Sequence, residues 1–115
     1  MPRLLFLITS DPRTSHRPAE AIRIAAGVGV WKKAEIKLYL RDAAVLILRE
    51  AEEDIVDEEN FTRYLPLLAD FSLPIYVQRG APLLVKLAEP LLPFQDIDDA
   101  ELALLAANST SVLRF

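Results

Sequence analysis

The side chains with chemical potential gather in two short stretches, each directly after a run of apolar residues. The first, residues 9–18, contains hydroxyls, two arginines and the single histidine of the chain. Its candidate ligand-binding residues are Ser10, Arg13, His16 and Arg17. The second stretch contributes Gln78, Arg79 and Gly80. Open α/β sheets bind ligands where strands end and helices begin, so both stretches are candidate walls of one pocket.

The chemistry available to these stretches is binding more readily than catalysis. Arg13, Arg17 and Arg79 can hold a small anion, with helix N-termini adding a favourable dipole. The more common alternative is that they are solvated arginines that pair with acidic residues. Histidine transfers protons at neutral pH, yet no acid or nucleophile stands at a recognisable spacing from His16. We therefore predict no catalytic residue.

Several kinds of site are excluded or disfavoured by residue types that are missing. The chain has no cysteine, which excludes disulfides, zinc–thiolate sites and cysteine nucleophiles. Residues 9–17 contain no glycine, so neither the dinucleotide-binding fingerprint nor the P-loop is present. The acidic stretch at residues 50–59 lacks the ligand spacing and central glycine of a calcium loop, and it predicts a solvated face. We expect no cofactor and no metal.

Length and composition indicate one domain over residues 1–115. The chain is 52% hydrophobic, which is rich for a small domain and predicts apolar surface buried between subunits of a homo-oligomer. A net charge of −4 argues against nucleic acid as a partner. The apolar runs are too short for a membrane span or a signal peptide, so we expect no membrane partner and a cytoplasmic location.

Hydrophobic patterns of strand and helix alternate along the chain, which favours α/β architecture with a parallel sheet. The predicted strands are residues 3–8, 35–40, 73–78, a short one within 91–97, and 111–115. Helices are predicted from Pro18, from Asp57 with a kink or break at Pro66, from Pro82, and from Asp98, whose capping box with Glu101 precedes a left-handed Asn108. Residues 43–49 suit either a short helix or a strand.

This pattern resembles the DsrE family of small sulfur-relay-like proteins over nearly the whole chain. The resemblance lies in the opening strand and loop (residues 4–10), the helix at 18–26, the strand and turn at 35–45, the strand at 74–77 and the ending at 98–115. It implies a three-layer α/β/α sandwich with a mainly parallel sheet of about five strands, assembled into trimers or hexamers. Sulfur-transferring members carry a persulfide-forming cysteine just after the strand corresponding to residues 74–77. Gln78 stands there, which rules out thiol-based relay by this chain alone.

The leading hypothesis is a non-catalytic, DsrE-like oligomeric binding or scaffold protein, possibly linked to sulfur relay. It would keep the family's pocket between residues 9–17 and 78–81, and oligomerise through apolar segments such as 45–48 or 83–92. The alternative is an enzyme or sensor that binds a small anion or nucleotide through the loops after the first and third strands. A third hypothesis adds a cysteine-bearing paralogue in a mixed oligomer.

Overall fold

The computed structural model describes residues 1–49, 55–87 and 89–115. Its strands are β1 (Arg3–Ile8), β2 (Glu35–Leu40), β3 (Ile75–Gln78), β4 (Gln95–Ile97) and β5 (Ser111–Arg114). Its α-helices are α1 (Arg17–Trp31), α2 (Glu58–Asp70) and α3 (Asp99–Ala107). Two 3₁₀ helices, Asp42–Leu48 and Pro82–Lys86, follow β2 and β3.

The five strands form one parallel sheet in the order β4-β3-β2-β1-β5. β1 lies inside the sheet, paired with β2 along its whole length and with β5 on its other side. Because all strands run the same way, the loops that follow them meet at one edge, the carboxyl edge. That edge contains the residues singled out above.

The larger core lies on one face of the sheet, beneath α1 and α2. Inward residues of β1 and β2, such as Phe6 and Leu38, are fully buried there. α1 meets them with alanines, of which Ala25 and Ala26 are typical, at the helical spacing the sequence predicts. Small side chains on that stripe let the helix axis lie close to the sheet.

The other face has a much smaller core, made by Leu5, Tyr39 and Ile97. α3 covers it, with Leu102 and Leu105 packed on those residues although neither is fully buried. Helices therefore lie on both faces, as the predicted three-layer α/β/α sandwich requires.

The capping box that starts α3 is confirmed. The Asp98 carboxylate accepts a hydrogen bond from the Glu101 backbone N–H, and the Glu101 carboxylate accepts one from the Asp98 N–H. Asn108, predicted to be left-handed at the end of this helix, has φ of −87° instead. Its N–H donates to the Leu104 carbonyl, so a continued helical turn ends α3 without a left-handed residue.

Three further elements differ from their predictions. Residues 43–49 are neither α-helix nor strand but mostly a 3₁₀ helix, and Val45–Leu48 is buried in this chain's own core, so it cannot supply an interface with another subunit. α2 continues through Pro66 without a break. β3 begins at Ile75, two residues later than predicted. Residues 50–54 of the acidic stretch lie outside the described residues.

Candidate functional site

The predicted site residues lie at the carboxyl edge in two separate groups. Ser10, Arg13, His16 and Arg17 follow β1, whereas Gln78, Arg79 and Gly80 follow β3. β2 lies between those strands, so the two groups start about 10 Å apart, two strand spacings. The loop that starts at Arg41 separates them. The pocket predicted between these groups remains a prediction.

The loop after β1 is closed by the end of β5. The backbone N–H groups of Thr9 and Ser10 both donate to the carbonyl oxygen of Phe115, at 3.0 and 3.3 Å. The Arg17 guanidinium donates to the Arg114 carbonyl at 3.0 Å. The Phe115 ring stacks on Phe6 with centroids 5.4 Å apart. Donors that a ligand would use in this crevice are thus engaged by the chain itself.

The remaining polar groups of this loop are also used locally. The Arg13 guanidinium forms a fork on the Asp11 carboxylate, with its shortest contact at 2.8 Å. These hydrogen bonds lower the pKa of Asp11. His16 is exposed at the start of α1, and its side chain caps no helix N–H. The loop is built as a structural turn that presents little free hydrogen-bonding capacity.

Gln78 has a structural partner in the neighbouring loop. Its side-chain oxygen accepts a hydrogen bond from the backbone N–H of Asp42 at 3.0 Å. Asp42 has φ of 53°, a left-handed conformation that is uncommon for a residue other than glycine. Gln78 therefore latches the end of β3 to the strained turn after β2. Gly80, at φ of 78°, then turns the chain toward Pro82, as the sequence predicts.

Arg79 lies among three carboxylates rather than beside an open anion site. Its guanidinium nitrogens are 3.5 Å from Asp96, 3.8 Å from Asp98 and 3.4 Å from Glu101. The side chain is half exposed, so each pair contributes little to stability. Their summed negative charge nevertheless opposes the approach of a second anion.

Sequence reasoning missed a polar cluster at the end of β2. The Arg41 guanidinium donates to the Tyr39 hydroxyl at 3.1 Å and to the Asp99 carboxylate at 3.0 Å. Tyr39 itself is buried, and burial raises its pKa above the ordinary value of 10.0 while the Arg41 hydrogen bond opposes that effect. The available signal was the pair Arg41-Asp42 directly after a strand. Its partner Asp99 is 58 residues away and no local pattern reveals it.

The raised pKa of Tyr39 makes stability depend on alkaline pH. Between the ordinary tyrosine pKa and the higher native one, the folded chain holds a proton that the unfolded chain has lost. Stability must therefore fall as pH rises through that window. We expect the urea midpoint of the wild type to fall more steeply between about pH 9 and 11 than that of Tyr39→Phe. Parallel declines in the two proteins would contradict the assignment.

The cavities of the described residues lie away from the predicted site. A mainly apolar cleft of about 440 Å³ is bordered by the first 3₁₀ helix, α2 and Leu91–Leu92. A hollow of about 240 Å³ lies beside α3 and is lined by Tyr76, Gln95, Ile97, Glu101, Leu104, Leu105 and Asn108. Neither is lined by any of the seven predicted residues.

Two further kinds of site were sought in the described parts of the chain. Residues 1–49, 55–87 and 89–115 contain no group of three or more histidine, aspartate or glutamate side chains placed to hold a metal ion. Within the same ranges, every helix is too short or too polar to cross a membrane.

The parallel five-stranded sheet with helices on both faces defines a DsrE-like α/β fold. Among solved structures, the chain is similar to the YchN protein from E. coli, whose crystal structure matches with a TM-score of 0.81. The match covers 100% of both chains at 16% sequence identity, and it shows the fold alone. No protein-family model matches this sequence, and no curated protein is similar to it in sequence.

Proposed function

We propose that this chain is a non-catalytic, oligomeric binding or scaffold protein of the DsrE-like class, serving a sulfur-relay-like process. The observation that carries the proposal is the engagement of Gln78. Its amide holds the Asp42 turn, at the position where the sequence resemblance places a sulfur-carrying cysteine. A residue with a structural partner and no nucleophilic atom serves to shape this edge rather than to react.

Large exposed apolar side chains support the oligomeric part of the proposal. Leu104 is 65% exposed and Val85 is 88% exposed. Leu91, in the apolar segment 83–92 named from the sequence, is 47% exposed. Contacts between subunits would remove such surface from water.

The alternative, a protein that binds an anion or nucleotide, receives less support. Arg13 pairs with Asp11, and Arg79 is surrounded by carboxylates. The two classes are separated by thermal unfolding in phosphate, sulfate, sulfite and ATP. The scaffold proposal expects no specific stabilisation. A rise in Tm that disappears in Arg79→Ala, with Arg63→Ala as the control on exposed α2, would favour the alternative.

The structural role of Gln78 has its own test. Replacing it in Gln78→Ala leaves the Asp42 N–H without its acceptor and is expected to cost about 1 kcal/mol. Amide exchange at Asp42 should accelerate, which NMR measures directly. Gln95→Ala, a change of the same type at an exposed site, should leave that amide unaffected. Unchanged exchange at Asp42 in Gln78→Ala would remove the basis for the latch.

A cysteine-bearing paralogue is part of the same proposal, because the missing thiol chemistry can reside in another chain. A tagged copy expressed at native level in the source organism should co-purify with a homologous chain that has cysteine at the position of Gln78. Mass spectrometry identifies that chain. Recovery of only the tagged chain, in an intact homo-oligomer, would limit the proposal to a self-assembling scaffold.

A further inference from the structure

Helix α3 is apolar on every side but buries none of its residues completely. Its nine residues include three leucines and four alanines. A helix of this composition is normally enclosed on all sides. The side that faces the sheet contacts the small second core. The opposite side carries Leu104, which is 65% exposed although it is in the middle of the helix.

The strand beside this face is equally uncovered. β5 ends the sheet, so within the described residues its outer edge pairs with no other strand. All four of its residues are exposed, and Val112 and Leu113 keep 40% and 37% of their surface in contact with water. An open apolar edge strand is a site where a further chain can add.

The exposed surface of α3 has a shape that suits a copy of itself. Ala100, Ala103, Leu104 and Ala107 are all exposed and share one stripe at helical spacing. Three small residues allow close approach of a second helix, and Leu104 projects between them. Leu104 also borders the 240 Å³ hollow, so a projecting side chain stands beside a space that can receive one. A two-fold axis places each Leu104 in the other copy's hollow.

Charges at the two ends of this surface complement each other. α3 begins with Asp99, whose carboxylate is 78% exposed, at the carboxyl edge of the sheet. At the opposite edge, Arg3 lies beside the start of β5, where its N–H donates to the Thr110 hydroxyl at 3.0 Å. Two copies related by a two-fold axis run antiparallel, which brings the acidic end of one to the basic end of the other.

We propose that α3 and the outer edge of β5 form a two-fold interface with a second copy of this chain. The interface centres on Leu104 and its neighbouring alanines. This inference rests on the oligomeric part of the proposed function and identifies the surface responsible for it. Leu104 is the central apolar anchor of the contact.

The first test is the mass in solution. Light scattering and sedimentation of the wild type should give an even number of subunits. Leu104→Glu should halve that number and raise the dissociation constant by more than about 30-fold. Val85→Glu places the same charge on a more exposed apolar residue outside the interface and should leave the mass unchanged. Far-UV circular dichroism checks that both variants fold.

A second test works even if Leu104→Glu fails to fold. Because the chain contains no cysteine, a single introduced thiol reports on one position. Ala103→Cys, beside the axis, should form intermolecular disulfides rapidly on mild oxidation, since residues near a two-fold axis meet their own copies. Ala69→Cys, an exposed alanine on α2, should cross-link far more slowly.

The outcomes separate the interface from the oligomer itself. A monomeric wild type at tens of micromolar would overturn both. An oligomer whose mass survives Leu104→Glu, with Ala103→Cys no faster than Ala69→Cys, would overturn this interface and leave the oligomer intact. Occupation of the surface by a different protein, lost in Leu104→Glu, would overturn the assignment to a second copy.

Discussion

Phe6→Ala is expected to destabilise the folded chain by about 3–5 kcal/mol. Phe6 is fully buried in β1, and its ring stacks on Phe115. Truncation leaves a cavity at the centre of the larger core and also removes the support of the residue that closes the loop after β1. Small domains are stabilised by only about 5–15 kcal/mol, so much of the fold's stability depends on this one ring.

Urea unfolding followed by circular dichroism measures this effect. The matched control is Leu113→Ala, because Leu113 is the register partner of Phe6 on β5 but is 37% exposed. The control should cost much less than Phe6→Ala. A loss below about 1 kcal/mol in Phe6→Ala would mean that the core repacks around the gap, contrary to the packing described.

Ala25→Leu is expected to cost about 2 kcal/mol through overpacking. Ala25 is completely buried where α1 lies on the sheet, and a leucine there must push the helix away from β1 and β2. Gly27→Ala is the control on the same helix. A Cβ at Gly27 meets no other atom within 4 Å, so alanine should stabilise the protein by about 1 kcal/mol through helix propensity.

Chemical unfolding of these two variants gives opposite shifts if the close approach of α1 is real. A neutral Ala25→Leu, together with a stabilising Gly27→Ala, would show that space exists between α1 and the sheet. Loss of stability in both would indicate that α1 is packed on its outer side as well.

Local patterns predicted most of the fold because local physics determines it. The six-residue apolar run of β1 is buried at the positions expected, and Pro18 begins a helix whose alanines face the core. The capping box of α3 depends on groups only three residues apart, and it forms as predicted. Asn108 differed because the last turn of α3 satisfies its own carbonyls, which removes the need for a left-handed residue.

The candidate site was much less predictable, since its partners are remote in sequence. The strand-to-helix turns were placed correctly at one edge of the sheet. However, the contact of Gln78 with Asp42 spans 36 residues, and that of Arg17 with Arg114 spans 97. No pattern in the sequence indicates that Phe115 accepts hydrogen bonds from the loop after β1. Only the tertiary structure shows that groups chosen for binding already have partners.

The pairing of β1 with β5 has a consequence for synthesis of the protein. Hydrogen bonds join these strands across 107 residues, as between Arg3 and Thr110. A ribosome makes β1 first and β5 last, so an inner strand of the sheet has one open edge for almost the whole period of translation. Closing so long a loop is slow, and the apolar edge exposed meanwhile invites aggregation. Completion of this fold is therefore a late, cooperative event that depends on the final strand.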